Sequence, residues 1–192
     1  MKISTVFTAA FLAVAMVATT SYAEAQPTKD MLTIQLKDGN VVIQLLPKVA
    51  PKAVKRLETL AEKGAYDNVA FHRVIAGFMA QTGDVQYGDM KDGYDPQLVG
   101  TGGSKLPDLP AEFSSVPFKR GTVGMARAQD PNSANSQFFI MLADGDFLDG
   151  KYTVVGKVIK GMQYVDNIKK GDKANNGAVT DPDRMIKVTV GK

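Results

Sequence analysis

Apolar and polar residues alternate along much of this chain, and the alternation comes in short runs. Met31-Leu32-Thr33-Ile34-Gln35-Leu36 places every second side chain on one face, Lys37-Asp38-Gly39-Asn40 breaks the run, and Val41-Val42-Ile43-Gln44-Leu45-Leu46 answers it. An Asp-Gly pair between two apolar runs predicts a β-hairpin. Pro47 and Pro51 then punctuate the entry to a helix, with Pro51 suited to the first turn. Val54, Leu57, Leu60 and Ala61 form its apolar stripe, Lys55, Glu58, Glu62 and Lys63 face water, and Gly64 ends it.

Period-two patterning returns at Phe71 to Ile75 and at Phe78 to Gln81, two strands separated by Ala76-Gly77. Met79 and Gln81 lie two apart and so share a face. A long stretch rich in glycine and proline follows from Val85 to Ala111. Within it Gly100-Thr101-Gly102-Gly103 would let backbone approach a ligand closely. Further strands are predicted at Gly121 to Ala126, Gln137 to Leu142, Tyr152 to Val158 and Met185 to Val190, and a second helix around Met162, Tyr164, Val165 and Ile168. In the Gln137 run, Gln137 and Phe139 share one face and Phe138 and Ile140 the other. One phenylalanine is therefore expected in the core and its neighbour available to a ligand.

About eight strands and two helices, without regular strand–helix alternation, argue against a doubly wound sheet. The expected fold is mainly β: a closed eight-stranded antiparallel barrel capped by two α-helices, since closure removes exposed edges.

Composition changes this picture little. The 192 residues are 44% hydrophobic and 22% charged, an ordinary globular mixture. The net charge is +3 with both signs interspersed, and no basic run is long enough to follow a phosphate backbone, so nucleic acid is not an expected partner. Residues 1–25 differ in kind: Lys2, an apolar run from Val6 to Val17, small residues and Ala23-Glu24-Ala25. These read as a secretory signal cleaved after Ala25, or else after Ala23, leaving one domain over 26–192. Its apolar run is short for a membrane span. There is no cysteine, which excludes disulfides and a lipid-anchored N-terminus. With no second apolar segment and no long apolar edge, the mature chain is expected to be off the membrane and monomeric.

Several chemical patterns can be set aside. Gly145 to Lys151 matches Gly-x4-Gly-Lys, but Tyr152 stands where a phosphate loop needs Ser or Thr. Asp144, Asp146 and Asp149 lack the ligand set of a calcium loop. His72 is the only histidine, so a metal site would have to be all carboxylate. No nucleophile motif surrounds it, and it reads as structural. What remains is a concentration of Arg73, Phe78, Met79 and Gln81 within nine residues: a permanent cation and an amide at the rim of an apolar surface. The Gln137–Phe139 and Phe147–Leu148 pairs add further walls.

Phe71-His72-Arg73-Val74-Ile75-Ala76-Gly77-Phe78-Met79-Ala80-Gln81-Thr82-Gly83-Asp84 resembles the signature of the cyclophilins, the cyclosporin-binding type of peptidyl-prolyl cis-trans isomerase. Gly100 to Gly103, Gly124-Met125-Ala126-Arg127-Ala128, Ser136 to Ile140 and Leu148-Asp149-Gly150-Lys151 also look like family segments, in the family's order. The resemblance implies an isomerase of X-Pro bonds with no metal or cofactor. Its partners would be proline-containing unfolded or partly folded polypeptides. By position, Arg73 is similar to the catalytic arginine, with Phe78 and Gln81 beside it. Met79, Ala126, Arg127, Ala128, Gln137, Phe139, Phe147, Leu148 and Tyr152 are similar to substrate-binding positions, Arg127 mainly through its main chain. Three positions depart from frequent family choices. Phe147 replaces a tryptophan that contacts cyclosporin in many eukaryotic members, implying weak binding of such drugs. Tyr152 replaces a histidine, and Arg127 an asparagine. The signal-like N-terminus is similar to that of bacterial periplasmic cyclophilins, which implies export to the periplasm. A non-catalytic module that holds proline segments, or a chaperone, is the alternative reading.

Overall fold

The computed structural model of the chain describes residue 1 and residues 30–191; the signal-like segment and both cleavage positions lie outside the described residues. The hairpin forms where the alternation places it, as β1 (Met31–Leu36) and β2 (Gly39–Leu45), with Leu32 opposite Ile43 and Ile34 opposite Val41. Helix α1 (Pro51–Glu62) begins on Pro51 and buries Ala53, Val54, Leu57, Leu60 and Ala61. Gly64 follows it at φ +67°, the left-handed turn that glycine takes without a Cβ clash. Arg56 is also buried on this helix, donating to the carbonyls of Pro107 (2.7 Å) and Asn135 (3.2 Å).

The remaining strands are β3 (Arg73–Ile75), β4 (Met79–Thr82), β5 (Thr122–Met125), β6 (Phe138–Met141), β7 (Val154–Lys160) and β8 (Lys187–Val190). Helix α2 (Met162–Asn167) packs on the first hairpin, its Tyr164 lying over Gly39, where a Cβ would fall 2.5 Å from the ring. Among the described residues the eight strands form one sheet in the order β3-β4-β6-β5-β7-β2-β1-β8, every pair antiparallel. The mainly β class, the strand number and the two helices agree with the expectation.

Closure does not. The sheet runs 205° round and its edges stay 18 Å apart, so it is an open half-barrel. Edge strands β3 and β8 have only three and four residues, too short to zip the gap. Their edges are covered by irregular chain instead. Segment 171–179 lies along β3, with Val74 N–H donating to Gly177 O (2.8 Å) and Gly171 N–H to Val74 O (2.9 Å). Residues 183–185 pair with 68–71 ahead of both edge strands, and Asp67 accepts from Val188 N–H (2.9 Å) on β8. The premise that edges must be protected holds, but loops protect them.

Among the described residues two apolar clusters result. The larger fills the concave side and includes Leu32, Ile34, Val74, Ala80, Val123, Phe138 and Ile140. The smaller lies on the other side of β4, β5 and β6 and includes Met79, Phe118, Phe139, Met141, Leu148 and Val154. Among the described residues no helix is long and apolar enough to cross a membrane.

Candidate active site

The antiparallel register assembles the site. Arg73 on β3 faces Gln81 on β4, Gln81 faces Phe139 on β6, and Phe139 faces Gly124 on β5. One row across four strands thus carries cation, amide, aromatic ring and glycine. The next row carries Ile75, Met79 and Met141. Gly124 makes room: a Cβ there would sit 2.7 Å from Phe139 Cζ and 2.6 Å from Phe118 Cε1. Phe139 is therefore held flat against Phe118, with ring centroids 5.7 Å apart, while Tyr152 meets it edge-on at 5.9 Å.

Ten of the twelve residues expected at the site line one depression of about 240 Å³: Arg73, Phe78, Met79, Gln81, Ala126, Arg127, Phe139, Phe147, Leu148 and Tyr152. The other two, Ala128 and Gln137, line an adjoining recess of about 360 Å³ together with Gly100, Thr101 and Gly102. Gln81, Ala126 and Arg127 form the wall the two share. A 3-10 turn at Asp146–Leu148 supplies the outer lip. Leu148 is buried there, whereas Phe147 is 62% exposed and tilted against Phe78 at 5.5 Å.

Arg73 is half-buried and, among the described residues, touches only neutral acceptors. Its Nη1 donates to Gln81 Oε1 (3.2 Å) and approaches Met79 Sδ (3.8 Å). Its Nε and Nη2 go to Asn176, at 3.0 Å to the main-chain carbonyl and 2.9 Å to Oδ1. Among the described residues no carboxylate pairs with it. Burial pulls its pKa below the ordinary arginine value, with nearby Tyr152 opposing the shift, and an arginine so shifted remains a cation at neutral pH.

Because arginine only donates, Gln81 must turn its oxygen toward it, which points Gln81 Nε2 at Gln137 Oε1 (2.9 Å). Gln137 Nε2 then donates to the carbonyls of Gly100 (3.0 Å) and Gly102 (2.9 Å). The amide N–H groups of those same glycines donate to Asp84 Oδ2 at 2.7 and 3.0 Å. Asp84 is fully buried and also accepts from Gln86 and Tyr87 N–H, both at 3.0 Å. Four backbone donors thus compensate one buried carboxylate. The network orients both glutamines and pins the glycine loop; a Cβ on Gly102 would lie 2.6 Å from Asp84 Oδ1.

Arg127 contributes a side chain as well as the main chain considered in the sequence. Its Nη1 donates to the carbonyls of Ala128 (2.8 Å) and Gln129 (3.1 Å) and its Nη2 to Lys151 O (3.0 Å), with the guanidinium 4.4 Å over the Tyr152 ring. It ties the loop after β5 to the rim of the depression. His72 is buried behind the site under Gly100, and neither ring nitrogen has a partner among the described residues. Burial, opposed chiefly by Asp84, pushes its pKa down to about 4. Among the described residues no three His, Cys, Asp or Glu side chains gather to hold a metal ion.

Two contributors escaped the sequence reading. Asn176 holds Arg73 from 103 positions away; the Asn-Gly pair at 176–177 signals a turn, but nothing local says where that turn docks. Asp84 sat inside the signature stretch without an assigned role, and an acid ahead of a glycine-rich loop was the available hint.

Residues 31–190 match the family model described as cyclophilin type peptidyl-prolyl cis-trans isomerase/CLD. The chain belongs to this family. Among its cyclophilin relatives, a Brucella suis protein described as a probable peptidyl-prolyl cis-trans isomerase is 59% identical over 182 residues, 95% of this chain and 92% of the relative. A Helicobacter pylori peptidyl-prolyl cis-trans isomerase is 40% identical over 144 residues, covering 73% of this chain and 80% of that one. The crystal structure of a Cryptosporidium parvum cyclophilin in the presence of the dipeptide Ala-Pro superposes with a TM-score of 0.71 at 27% identity, covering 84% of this chain and 99% of the other. This cyclophilin is accordingly an enzyme of X-Pro cis–trans exchange, and proline-containing segments are what its family binds.

Proposed function

We propose that the chain seats a proline ring on Phe78, Met79, Phe139 and Leu148 while Arg73 meets the nitrogen of the rotating bond, and that Gln81 and the Ala126–Ala128 main chain hold the substrate backbone. The X-Pro bond is planar because its nitrogen lone pair is delocalised, with a barrier of roughly 18–20 kcal/mol. At the twisted geometry that lone pair localises and becomes a hydrogen-bond acceptor. A fixed guanidinium beside it binds the twisted form better than either planar one, which is what lowers a barrier.

Magnitude limits what the arginine alone supplies. A hydrogen bond to a charged group contributes about 1.5–3 kcal/mol net, equivalent to roughly ten- to 150-fold in rate. The apolar floor adds to this by clamping the ring and removing water from the more polar planar amide. No covalent intermediate enters the scheme. The observation that carries the reading is Arg73 itself: a cation at the edge of an apolar depression, held by neutral acceptors alone.

The substrates in this reading are proline-containing segments of unfolded or partly folded exported proteins, met in the periplasm by a monomer. The signal-like residues 1–25 support export. Phe147 in place of a larger indole supports weak binding of cyclosporin-like ligands. A proline-limited refolding assay tests the catalytic reading against a module that only holds proline segments. Arg73→Ala is expected to slow catalysis about ten- to 150-fold while peptide binding by titration persists. Equal loss of binding and catalysis would refute this division of labour, and a wild-type chain that binds without accelerating refolding would leave the holding module.

A further inference from the structure

The grip on Arg73 comes from one residue with two acceptors. Asn176 offers its main-chain carbonyl to Nε at 3.0 Å and its side-chain Oδ1 to Nη2 at 2.9 Å, so two edges of the planar guanidinium are fixed at once. The third edge, Nη1, faces Gln81 and Met79. With three sides held, the plane has little freedom to rotate.

Asn176 is itself held in an unusual conformation. It follows a 3-10 turn at Lys173–Asn175 and adopts φ +50°, a left-handed geometry that asparagine tolerates better than most residues. Asp172 caps the turn through Ala174 N–H (2.8 Å), and its carbonyl accepts from Gly177 N–H (2.7 Å). Gly177 then crosses β3 so closely that a Cβ would lie 2.4 Å from Ile75 Cγ1. The loop that covers the open edge of the sheet is thus the element that delivers Asn176 to the arginine.

An arginine can be anchored more firmly by a carboxylate, through a charge-assisted bidentate pair. Here that would spend the cation on its anchor. A neutral acceptor fixes the plane and leaves the positive charge uncompensated for the substrate nitrogen. We propose that Asn176 is a positioning residue for X-Pro isomerisation, whose uncharged two-point grip sets the plane of the Arg73 guanidinium without neutralising it. The inference rests on the reading of Arg73 as the catalytic group.

Two substitutions separate holding from charge. Asn176→Gly keeps the main-chain carbonyl and suits the left-handed backbone, but loses Oδ1. Asn176→Asp keeps the shape and adds a charge. The readouts are kcat and KM for a proline-containing peptide, the thermal midpoint, and solvent exchange of the Arg73 Nη2–H followed by NMR. For Asn176→Gly, kcat is expected to fall about ten-fold, the equivalent of one lost hydrogen bond to a charged group. Its KM and thermal midpoint should stay near wild type while the Nη2–H, deprived of Oδ1, exchanges faster. For Asn176→Asp, kcat should fall at least as far while the Nη2–H stays as protected as in wild type.

Wild-type kcat or wild-type Nη2–H protection in Asn176→Gly overturns the positioning role. Wild-type kcat in Asn176→Asp overturns the requirement for a neutral grip. Arg73→Ala run alongside keeps the two levels apart. If it retains full activity, the catalytic reading and this inference fall together. If it is impaired while Asn176→Gly is not, only this inference falls.

Discussion

The two faces of strands β3, β4, β6 and β5 differ by a shift of one residue and by almost everything else. On the concave face Val74, Ala80, Ile140 and Val123 stand in register, each at most 1% exposed, and continue into the main core. On the convex face the neighbouring row reads Arg73, Gln81, Phe139 and Gly124. The strand period of two lets one stretch of chain serve both purposes, with apolar volume inward and a cation, an amide and a ring outward. Changes on one face should therefore register as stability, and changes on the other as turnover.

Adjacent phenylalanines give the sharpest way to break that contrast. Phe138 is fully buried, with its ring edge-on to Tyr66 at 5.6 Å; Tyr66 in turn donates to Ser136 O (2.7 Å). Phe138→Ala leaves a dry cavity and is expected to cost about 3–5 kcal/mol, with normal kcat in the molecules that remain folded. In Phe139→Ala the hole opens onto the depression and fills with water, so the stability cost should be smaller, about 1–3 kcal/mol. Catalytic efficiency, by contrast, should drop ten-fold or more. Urea denaturation paired with peptide kinetics checks both. Equal stability losses with equal activity losses would mean that the two faces are not functionally distinct.

His72 tests whether the boundary between the faces holds against a proton. Its pKa is lowered from 6.5 to about 4, chiefly by burial, so it stays neutral in the folded chain where the unfolded chain already binds a proton. Stability should consequently fall as pH drops from about 6.5 to 4, by at most about 3 kcal/mol, and this contribution should be flat above 6.5. The groups facing it are Asp84, which favours its protonation, and Arg73, which opposes it. Asp166 and Asp183, both lowered by their cationic partners against burial, lose stability in the same direction at more acid pH. Comparing urea midpoints of wild type and His72→Phe from pH 7 to 4.5 isolates the histidine. Parallel curves would sink the assignment. Activity per folded molecule should meanwhile be level from about pH 6 to 9, since the arginine does not titrate there.

How much of this could be read from the chain depends on the distance over which each feature is decided. Alternation decides faces locally, so the sharing of a face by Met79 and Gln81 and the split between Phe138 and Phe139 were legible, as were the first hairpin and the start of α1 on Pro51. Most candidate site residues were picked out through the family segments they occupy, and the structure draws those candidates around two adjoining depressions. Closure was misjudged because it depends on how long β3 and β8 turn out to be and on what else covers them, neither of which is a local property. Phe71 and His72 read as strand but precede β3; their backbone bonds go to Asp183 and Val179 instead of to a ladder. Asn176 was invisible for the same reason: its turn is predictable from Asn-Gly, its docking on β3 is not.

The smallest expected effect lies at the outer lip. Phe147 is 62% exposed, and its contact with the sheet side of the site is the tilted ring of Phe78 at 5.5 Å. An aromatic pair of this kind contributes about 0.5–1.5 kcal/mol beyond area burial. Phe147→Ala is therefore expected to raise KM for a proline peptide roughly two- to ten-fold, with kcat nearly unchanged. Stability should shift by no more than about 0.5 kcal/mol, as for other exposed positions. Phe147→Trp enlarges the same surface and should lower KM and tighten cyclosporin binding by titration calorimetry. The lip would then act on binding alone, while the row beginning at Arg73 acts on turnover. A Phe147→Ala chain that loses kcat as strongly as Arg73→Ala would place the lip inside the catalytic machinery and dissolve that distinction.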